Sequence, residues 1–453
     1  NAFSLSCVLC FDPYLELLYG GRYSGRYSAR HLPTTRYMLQ YLQMNTDIHP
    51  LLQTLNTQQR HAVTAPNGPI LVLAGPGSGK TRVLTHRIAW ILDEERVPAW
   101  QILAVTFTNK AAREMGERLN RMVTYNVAQD MTLGTFHATC ARILRREAEH
   151  VGLDHNYLIF DADDQLTVMK EVIKELGLDD KQYRPRAMLN AISRAKNELI
   201  PASDYDVQTY YDEVVSRVYA HYQDILRRSN GVDFDDLLMK TAVLFRNTPE
   251  VLEKYRGRYH HILVDEFQDT NMAQYVILKL LSGRDRGHES SSGDTSSARD
   301  TVSDCSLFVV ADEDQSIYSW RGADYRNIQR LREDYPELRE FLLEENYRST
   351  QVILDAAQSI IAGNHNRTPK RLFTRKEGGY PLTLHEAYDE KEEADYVARE
   401  VQSLLRRKYT VSDIAVMYRT NAQSRALEEA FIRYNLPYRL IGGTRFYTRK
   451  EIK

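Results

Sequence analysis

The stretch that most constrains the fold is LVLAGPGSGKTRVL, residues 71–84, in which an apolar run passes into three glycines, a lysine and a threonine. An apolar strand, a glycine-rich turn and a helix that begins near Lys80 form the layout of a phosphate-binding loop. Glycine lets backbone N–H groups point into the turn, where a β-carbon would obstruct them. The positive end of the helix dipole adds to the attraction for phosphate. The stretch therefore predicts a phosphate site at a strand–helix junction.

The residues of this loop have separate expected roles. Lys80 is expected to reach the β- and γ-phosphates of a nucleotide, and the Thr81 hydroxyl to ligate magnesium. Ala74 stands where the motif usually opens with glycine, at the end of the strand. The other residues expected to line the phosphates are Gly75, Gly77, Ser78 and Gly79. The alternative, a glycine-rich turn that binds nothing, leaves the Lys-Thr pair unexplained.

A second segment, HHILVDEFQDT at residues 260–270, supplies the carboxylates that a phosphate loop needs. Its apolar strand is expected to deliver Asp265 toward Mg²⁺. Glu266 beside it can orient or deprotonate the attacking water. The alternative is a solvated strand end, which an Asp-Glu pair often marks.

Short apolar runs rich in Val and Ile alternate with helical stretches from Leu55 onward. The runs lie at 69–74, 102–107, 262–264 and 307–311. Buried parallel strands joined by crossover helices give this pattern, so the chain is predicted to be α/β with a parallel sheet. A second α/β pattern begins near Phe341, with a helix bearing Ala394, Val397, Val401 and Leu404 on one face and a strand at 414–418.

A largely helical block separates the second and third runs. In DADDQLTVMKEVIKELG, residues 161–177, one apolar face is formed by Leu166, Met169, Ile173 and Leu176. Asp161 or Asp163 can cap the start of this helix, and Gly177 ends it. We expect a helical subdomain inserted into the α/β core.

The amino-acid composition restricts the class of protein and the compartment in which it works. Lysines and arginines number 59 against 61 acids, so any basic surface must be local. Four cysteines are too few for a disulfide scaffold, which favours an intracellular, cytoplasmic protein, and the lone Cys7–Cys10 pair is interpreted as chance. No apolar run reaches the ~20 residues that span a bilayer, and no signal peptide pattern is present.

The two ends of the chain look cut. Residues 1–50 are Tyr- and Arg-rich and contain GRYSGRYS at 21–28, which could bind single strands by stacking and charge or be an extension without fold. Met44 would be a sensible start. The chain stops at FYTRKEIK without a capping signal, so we expect a fragment.

Taken together and in order, the motifs resemble those of superfamily 1 DNA helicases of the UvrD/Rep/PcrA type, from about Leu55 to Lys453. Besides the two segments above, they are LNTQQRHAV at 55–63, TFTNKAAREM at 106–115, GTFHA at 134–138, ADEDQSIYSWRGAD at 311–324 and ENYRST at 345–350. Two departures are small: Ala311-Asp312 replaces the usual Gly-Asp, and a Ser-rich loop, expected to be flexible, occupies 282–306.

The resemblance implies further site residues. Gln59 would read the adenine, Arg82 would contact the nucleotide, and Tyr347 could stack on the base. Gln315 would sense the γ-phosphate, and Arg348 would act as an arginine finger from the second motor domain. The expected DNA contacts are Thr106, Phe107, Thr135, His137, Tyr318, Trp320 and Arg321. Phe107 can also be a core residue closing a strand, His137 a structural or phosphate-contacting residue, and NYR an ordinary turn.

The resemblance also implies RecA-like P-loop NTPase domains, for which we expect the following boundaries. These are an N-terminal extension, expected to be disordered, at 1–50; a first motor domain at 51–144 and 233–340; a helical insertion at 145–232; and an incomplete second motor domain at 341–453. The expected activity is a 3′–5′ DNA helicase or translocase that uses ATP and Mg²⁺ on single-stranded and forked DNA, in repair or replication. We expect a monomer or weak oligomer with no membrane partner. Alternatives are a helicase–nuclease motor, an ATP-inactive strand-binding repair module, or RNA as substrate.

Overall fold

The computed structural model describes residues 49–123, 127–283, 305–364 and 367–441, without the side chains of Val127 and Arg321. The extension before His49, its repeat, the Cys7–Cys10 pair and nearly all of the Ser-rich loop lie outside the described residues, and those expectations remain predictions. The chain forms two compact units. The first runs to Arg348 and includes Asn364–Phe373, and the second comprises Ser349–Gly363 and the residues from Thr374 onward.

The described residues contain eight strands. They are β1 (Ile70–Ala74), β2 (Ile102–Thr106), β3 (Thr132–Thr135), β4 (Leu158–Phe160), β5 (Gly231–Asp233), β6 (His261–Val264), β7 (Ser306–Ala311) and β8 (Arg339–Leu343). Six of them form one parallel sheet in the order β3-β2-β6-β7-β1-β8, and β4 pairs with β5. β1, which leads into the phosphate loop, thus lies inside the sheet.

In the described part of the chain, fourteen α-helices accompany these strands. In the first unit they are α1 (Thr57–Val63), α2 (Lys80–Asp93), α3 (Asn109–Met122), α4 (Phe136–Arg146), α5 (Ala162–Glu175), α6 (Pro185–Asn197), α7 (Tyr210–Arg228), α8 (Phe234–Asn247), α9 (Pro249–Arg258), α10 (Met272–Leu281) and α11 (Asn327–Asp334). In the second unit they are α12 (Gln351–Ile361), α13 (Glu390–Arg406) and α14 (Ser424–Arg433).

The core of the first unit lies on both faces of the sheet. Successive residues of β1 alternate, with Leu71 packing in one apolar layer and Ile70 and Val72 in the other. A strand buried on both faces reads as a continuous apolar run, and the four runs predicted as strands are confirmed as β1, β2, β6 and β7. β3 and β8 were not predicted. They are the sheet edges, where partial exposure leaves a mixed sequence such as REFLL.

The helical block forms its own apolar cluster from α5, α6 and α7. The predicted helix at 161–177 is confirmed, because Asp161 accepts hydrogen bonds from the N–H groups of Asp163 and Asp164, and Gly177 follows the helix in the left-handed region. Its buried face is wider than predicted, since Val168 and Val172 join Met169 and Ile173. The extra width lets one helix contact two neighbours.

The second unit is helical in its described residues. The predicted apolar face of α13 is confirmed at Ala394 and Val401, which are buried, and at Val397, which is partly buried; Ala398 joins it, and Leu404 lies outside the cluster. The predicted strand at 414–418 is wrong, since these residues form no strand and Met417 is 92 % exposed. An apolar run becomes a strand only by pairing, and the described residues of this unit provide no partner strand.

Strand β8 straddles position 340, where the sequence analysis divides the two motor domains, and it pairs with β1 in the first unit. Arg348, expected to come from the second motor domain, is likewise part of the first unit. No helix in the described part of the chain is long and apolar enough to cross a membrane.

His261 gives the first unit an acid-sensitive element. It opens β6 and is 6 % exposed, and burial lowers its pKa to about 4, with the charge of Glu95 opposing the shift. Because its unfolded pKa is near 6.5, the folded state binds fewer protons between these values. The contribution of His261 to the unfolding free energy is therefore fully present above pH ~6.5. It is lost as the pH falls toward ~4, which lowers the unfolding free energy by roughly 1–3 kcal/mol. We expect His261→Gln to make the unfolding free energy, measured with urea, less sensitive to pH across this range.

The matched control is His61→Gln, on an exposed position of α1, which should keep the parent's pH dependence. Parallel curves for the parent and His261→Gln would show that His261 does not contribute to the acid sensitivity.

Candidate nucleotide and strand sites

The phosphate loop follows the carboxyl end of β1 and is braced by its neighbours. Gly79, with φ of 93°, caps α2, which begins at Lys80. The side chain of Gln59 donates to the carbonyl of Ser78 at 2.9 Å, and Ser78 Oγ donates to the carbonyl of Gly75 at 2.7 Å. Gln59 is 1 % exposed, so its amide holds the loop in this structure. Its role at an adenine remains a prediction.

Lys80 lies where three loops from the sheet meet. Its Nζ is 3.5 Å from Glu266 Oε2, 3.5 Å from Asp312 Oδ2 and 3.4 Å from Gln315 Oε1. These partners follow β6 and β7, so the loops after adjacent parallel strands converge as they do at ligand sites of open α/β sheets. The structure thus brings together Lys80, Glu266 and Gln315, which the sequence analysis named separately.

The expected magnesium ligands are neighbours. Thr81 Oγ1 and Asp265 Oδ2 are 3.3 Å apart, and Asp265 is 5 % exposed. Burial raises the pKa of Asp265 to about 6, the charge of Glu266 raises it further, and Lys80 opposes the shift. Burial and Glu266 raise the pKa of nearby Asp269 to about 6 as well.

This donor set fits a divalent cation. Magnesium prefers carboxylate and hydroxyl oxygens, and a buried group of carboxylates is stabilised by a cation that offsets their mutual repulsion. Thr81 and Asp265 are the residues that would hold it.

Gln268, which the sequence analysis missed, links the two carboxylate loops. Its Nε2 donates to Glu266 Oε2 at 2.8 Å, and its Oε1 accepts from the N–H of Asp312 at 2.9 Å. Glu266 itself has φ of 50°, a left-handed conformation that is uncommon for non-glycine residues and occurs often at functional sites. The Glu266 carboxylate is therefore held in one orientation.

Lys370 is a second missed residue. Its Nζ lies 3.2 Å from Asp312 Oδ1 and 3.4 Å from Asp314 Oδ2, and it is 8 % exposed. Asp312 is fully buried between Lys80 and Lys370. The sequence carries no signal for Lys370, because it stands outside every motif and reaches the site only through the fold.

The segment after β8 lies against the phosphate loop. The N–H of Tyr347 donates to the carbonyl of Gly77 at 2.9 Å, and the side chain of Asn346 donates to the carbonyl of Pro76. Arg348 follows directly, and a β-carbon on Gly77 would come within 2.7 Å of its Cβ. The predicted residues Tyr347 and Arg348 thus border the loop.

Two of the residues expected at the nucleotide, Tyr347 and Arg82, also have partners near the start of α1. Tyr347 Oη accepts a hydrogen bond from Asn56 at 2.8 Å, and Arg82 donates to the carbonyl of Thr54 at 2.8 Å. Asn56, also missed, caps α1 in a capping box with Gln59. Its signal was present in the sequence as Asn56 followed three residues later by Gln59.

A row of aromatic rings lies on the loops after β2 and β7. The rings of Phe107 and Tyr318 are 5.0 Å apart, and those of Tyr318 and Trp320 are 6.3 Å apart. Phe107 is half-buried, and Trp320 is 68 % exposed. Rings at these separations form a continuous apolar surface on which planar bases can stack.

Three of the other expected strand contacts, Thr106, Thr135 and His137, have partners within the protein. Thr106 is 1 % exposed and its hydroxyl donates to the carbonyl of Thr108, while Thr135 Oγ1 accepts from the N–H of Ala138 and caps α4. His137 lies 6.0 Å from the ring of Phe234, which is 46 % exposed and was missed, and burial lowers the pKa of His137. The side chain of Arg321 is not among those that the structure describes. These contacts remain predictions.

Gly77 provides a test of the loop. It has φ of 70°, and Gly152 has φ of 68° with nothing near the place of a β-carbon. Either change to alanine should lower the unfolding free energy by about 1–2 kcal/mol through the left-handed strain. Only Gly77→Ala must also displace Asn346 and Arg348, so only it should weaken ATP binding, by about tenfold or more if one or two hydrogen bonds are lost. Calorimetry on both variants checks this, and equal ATP affinities would contradict the assignment.

Comparison with known proteins agrees with this geometry. Residues 55–336 match the UvrD/REP helicase N-terminal domain, and residues 341–453 match the UvrD-like helicase C-terminal domain. The chain is 46 % identical over 408 residues to the ATP-dependent DNA helicase PcrA of Staphylococcus aureus (strain Mu50) and equally identical to that of Staphylococcus epidermidis (strain RP62A). Each match covers 90 % of this chain and 53 % of the relative, so the chain spans about half the length of the curated relatives it matches.

The N-terminal domain model alone covers more than half of the chain, and its span includes the phosphate loop, the Asp265-Glu266 turn and the aromatic row. The parallel sheet with its P-loop is the RecA-like fold expected of such domains. The chain belongs to the UvrD/REP helicase family.

Proposed function

We propose that this protein is an ATP-dependent 3′–5′ DNA helicase or translocase that couples ATP hydrolysis to movement along single-stranded DNA and to duplex unwinding. The observation that carries the proposal is the course of residues 315–320. Gln315 lies 3.4 Å from Lys80, and the same segment then supplies Tyr318 and Trp320 to the aromatic row. Polarity and a role in repair or replication rest on family membership.

The nucleotide half of the proposal follows from the charges around the loop. Lys80 and the N–H groups of the loop bind the phosphates, and Gln315 responds to the γ-phosphate because it already contacts Lys80. Glu266, oriented by Gln268, positions and deprotonates the attacking water. Arg348 stabilises charge that develops on the γ-phosphate. When bound at Thr81 and Asp265, Mg²⁺ neutralises phosphate charge.

The strand half follows from the aromatic row. Base stacking on exposed rings does not depend on base identity, which suits a protein that moves along DNA of any sequence. Loss of the γ-phosphate changes the partners of Gln315, and the short segment to Tyr318 and Trp320 transmits that change. We therefore propose single-stranded and forked DNA as the substrates.

The catalytic carboxylate gives one test. Glu266→Gln keeps an oxygen for Gln268 but cannot accept the water's proton, so ATP turnover should fall by about 10²–10⁴-fold, with ATP affinity little changed. Lys80→Ala should lose both turnover and affinity. Glu171→Gln, an exposed carboxylate on α5, is the matched control. Steady-state hydrolysis with single-stranded DNA checks this, and turnover by Glu266→Gln equal to the parent would refute the proposed role.

The aromatic row gives a second test. Trp320→Ala should weaken binding of an oligodeoxynucleotide by the loss of about one stacked base, roughly 1–3 kcal/mol, to a similar extent for oligo-dT and oligo-dA. Trp100→Ala removes another partly exposed tryptophan, 47 % exposed, and should leave affinity unchanged. Fluorescence anisotropy measures both. If both variants change the affinity for the oligodeoxynucleotide equally, Trp320 does not belong to the strand site.

A further inference from the structure

The end of α6, in the helical block, contacts both segments that make up the proposed motor site. Asn197, its last residue, accepts a hydrogen bond from Asn271 Nδ2. Asn271 follows the Asp265-Glu266 turn and caps α10. Asn197 also lies against Gly322, which ends the turn that carries Trp320, since a β-carbon on Gly322 would come 3.2 Å from Asn197 Nδ2.

The two segments that Asn197 contacts are also joined to each other. Asn327 Nδ2 donates to the carbonyl of Thr270 at 2.9 Å, and the N–H of Asp324 donates to the same carbonyl at 2.9 Å. Residues 270–271 thus connect the Asp265-Glu266 turn to the segment after the aromatic row. Asn271 is therefore linked to both segments, along the chain to one and by a hydrogen bond to the other.

Asn197 is presented from a rigid base. The preceding residue, Lys196, is fully buried, with Nζ 2.7 Å from Asp233 and 3.0 Å from Asp236. Tyr222 Oη donates to the same Asp233 carboxylate at 3.1 Å. A buried charge that is paired in this way resists displacement, because moving it leaves a carboxylate unpaired in the interior. The end of α6 is therefore fixed to the start of α8.

The contact itself is buried and polar. Asn197 is 7 % exposed and Asn271 is 6 % exposed. Removing the acceptor would leave the Asn271 amide without its hydrogen bond in the interior, which favours a rearrangement of residues 270–271. The link between the Asp265-Glu266 turn and the segment after the aromatic row therefore includes a residue of the helical block.

We propose that Asn197 is a positioning residue that couples strand binding at the aromatic row to ATP turnover at Asp265 and Glu266. It acts through Asn271 and Gly322, and not on the nucleotide. This inference rests on the proposed function. It assigns to the helical block a part in the stimulation of hydrolysis by the strand.

The test compares Asn197→Ala with Asn190→Ala in the full chain. Asn190 is an exposed asparagine of the same helix. Turnover is measured with and without oligo-dT, together with KM for ATP and the thermal unfolding midpoint. In Asn197→Ala the strand-stimulated kcat should fall by about five- to tenfold, the loss expected of one buried hydrogen bond. Strand-free kcat and KM should stay within about twofold, a smaller change than any lost hydrogen bond gives.

A second variant keeps the test decisive if Asn197→Ala does not fold. Asn271→Ser retains a good cap for α10 but is too short to reach Asn197, so it should lose stimulation to the same extent. The double variant should be no worse than Asn197→Ala alone, since each single variant already removes the hydrogen bond between Asn197 and Asn271. Additive losses in the double variant would overturn the proposal.

The remaining outcomes distinguish the two proposals. If the strand stimulates the parent and both Asn197→Ala and Asn271→Ser match Asn190→Ala, the coupling inference is wrong and the proposed function stands. If the strand does not stimulate the parent, and Lys80→Ala leaves its turnover unchanged, the proposed function fails and the inference fails with it.

Discussion

The burial of the Lys80 ammonium is the constraint on which the site depends. An ammonium group that is nearly removed from water must have charged or polar partners, and its partners come from two other loops, at Glu266, Asp312 and Gln315. Three strand ends must therefore stay in register for this charge to be paired. The parallel order of β6, β7 and β1 provides that register.

The network around Lys80 extends in two directions. Toward the Asp265-Glu266 turn, Gln268 connects Glu266 to the backbone of Asp312. Away from it, Asp312 is shared with Lys370. Each member of the network has a partner on another loop. The proposed binding of a polyphosphate beside Lys80 would therefore alter several contacts together, which would give the proposed coupling to the aromatic row a physical basis.

Much of the fold could be predicted because it is local in the sequence. The four central strands are continuous apolar runs, and α5 has a capping aspartate, an apolar stripe and a terminal glycine. The edge strands β3 and β8 lack such a run, since one side of each is not covered by a neighbouring strand. At 414–418 the error is the opposite one: an apolar run was predicted to be a strand but forms none. An apolar run needs a partner strand to pair with. Motif residues such as Lys80 and Asp265 could be named from the sequence as candidates, whereas Lys370 stands outside every motif. Asn346 lies in the ENYRST motif, but its contact with the phosphate loop was not predictable.

The sequence by itself determined the phosphate loop, its strand and helix, and the chemical character of the Asp265-Glu266 pair, because these depend on residues within a few positions of one another. The tertiary structure alone decided which carboxylates surround Lys80, that Lys370 pairs with Asp312, and that Asn197 meets Asn271. Those contacts join residues far apart along the chain. Their formation depends on the register of the sheet and the packing of the helices, which no local pattern encodes.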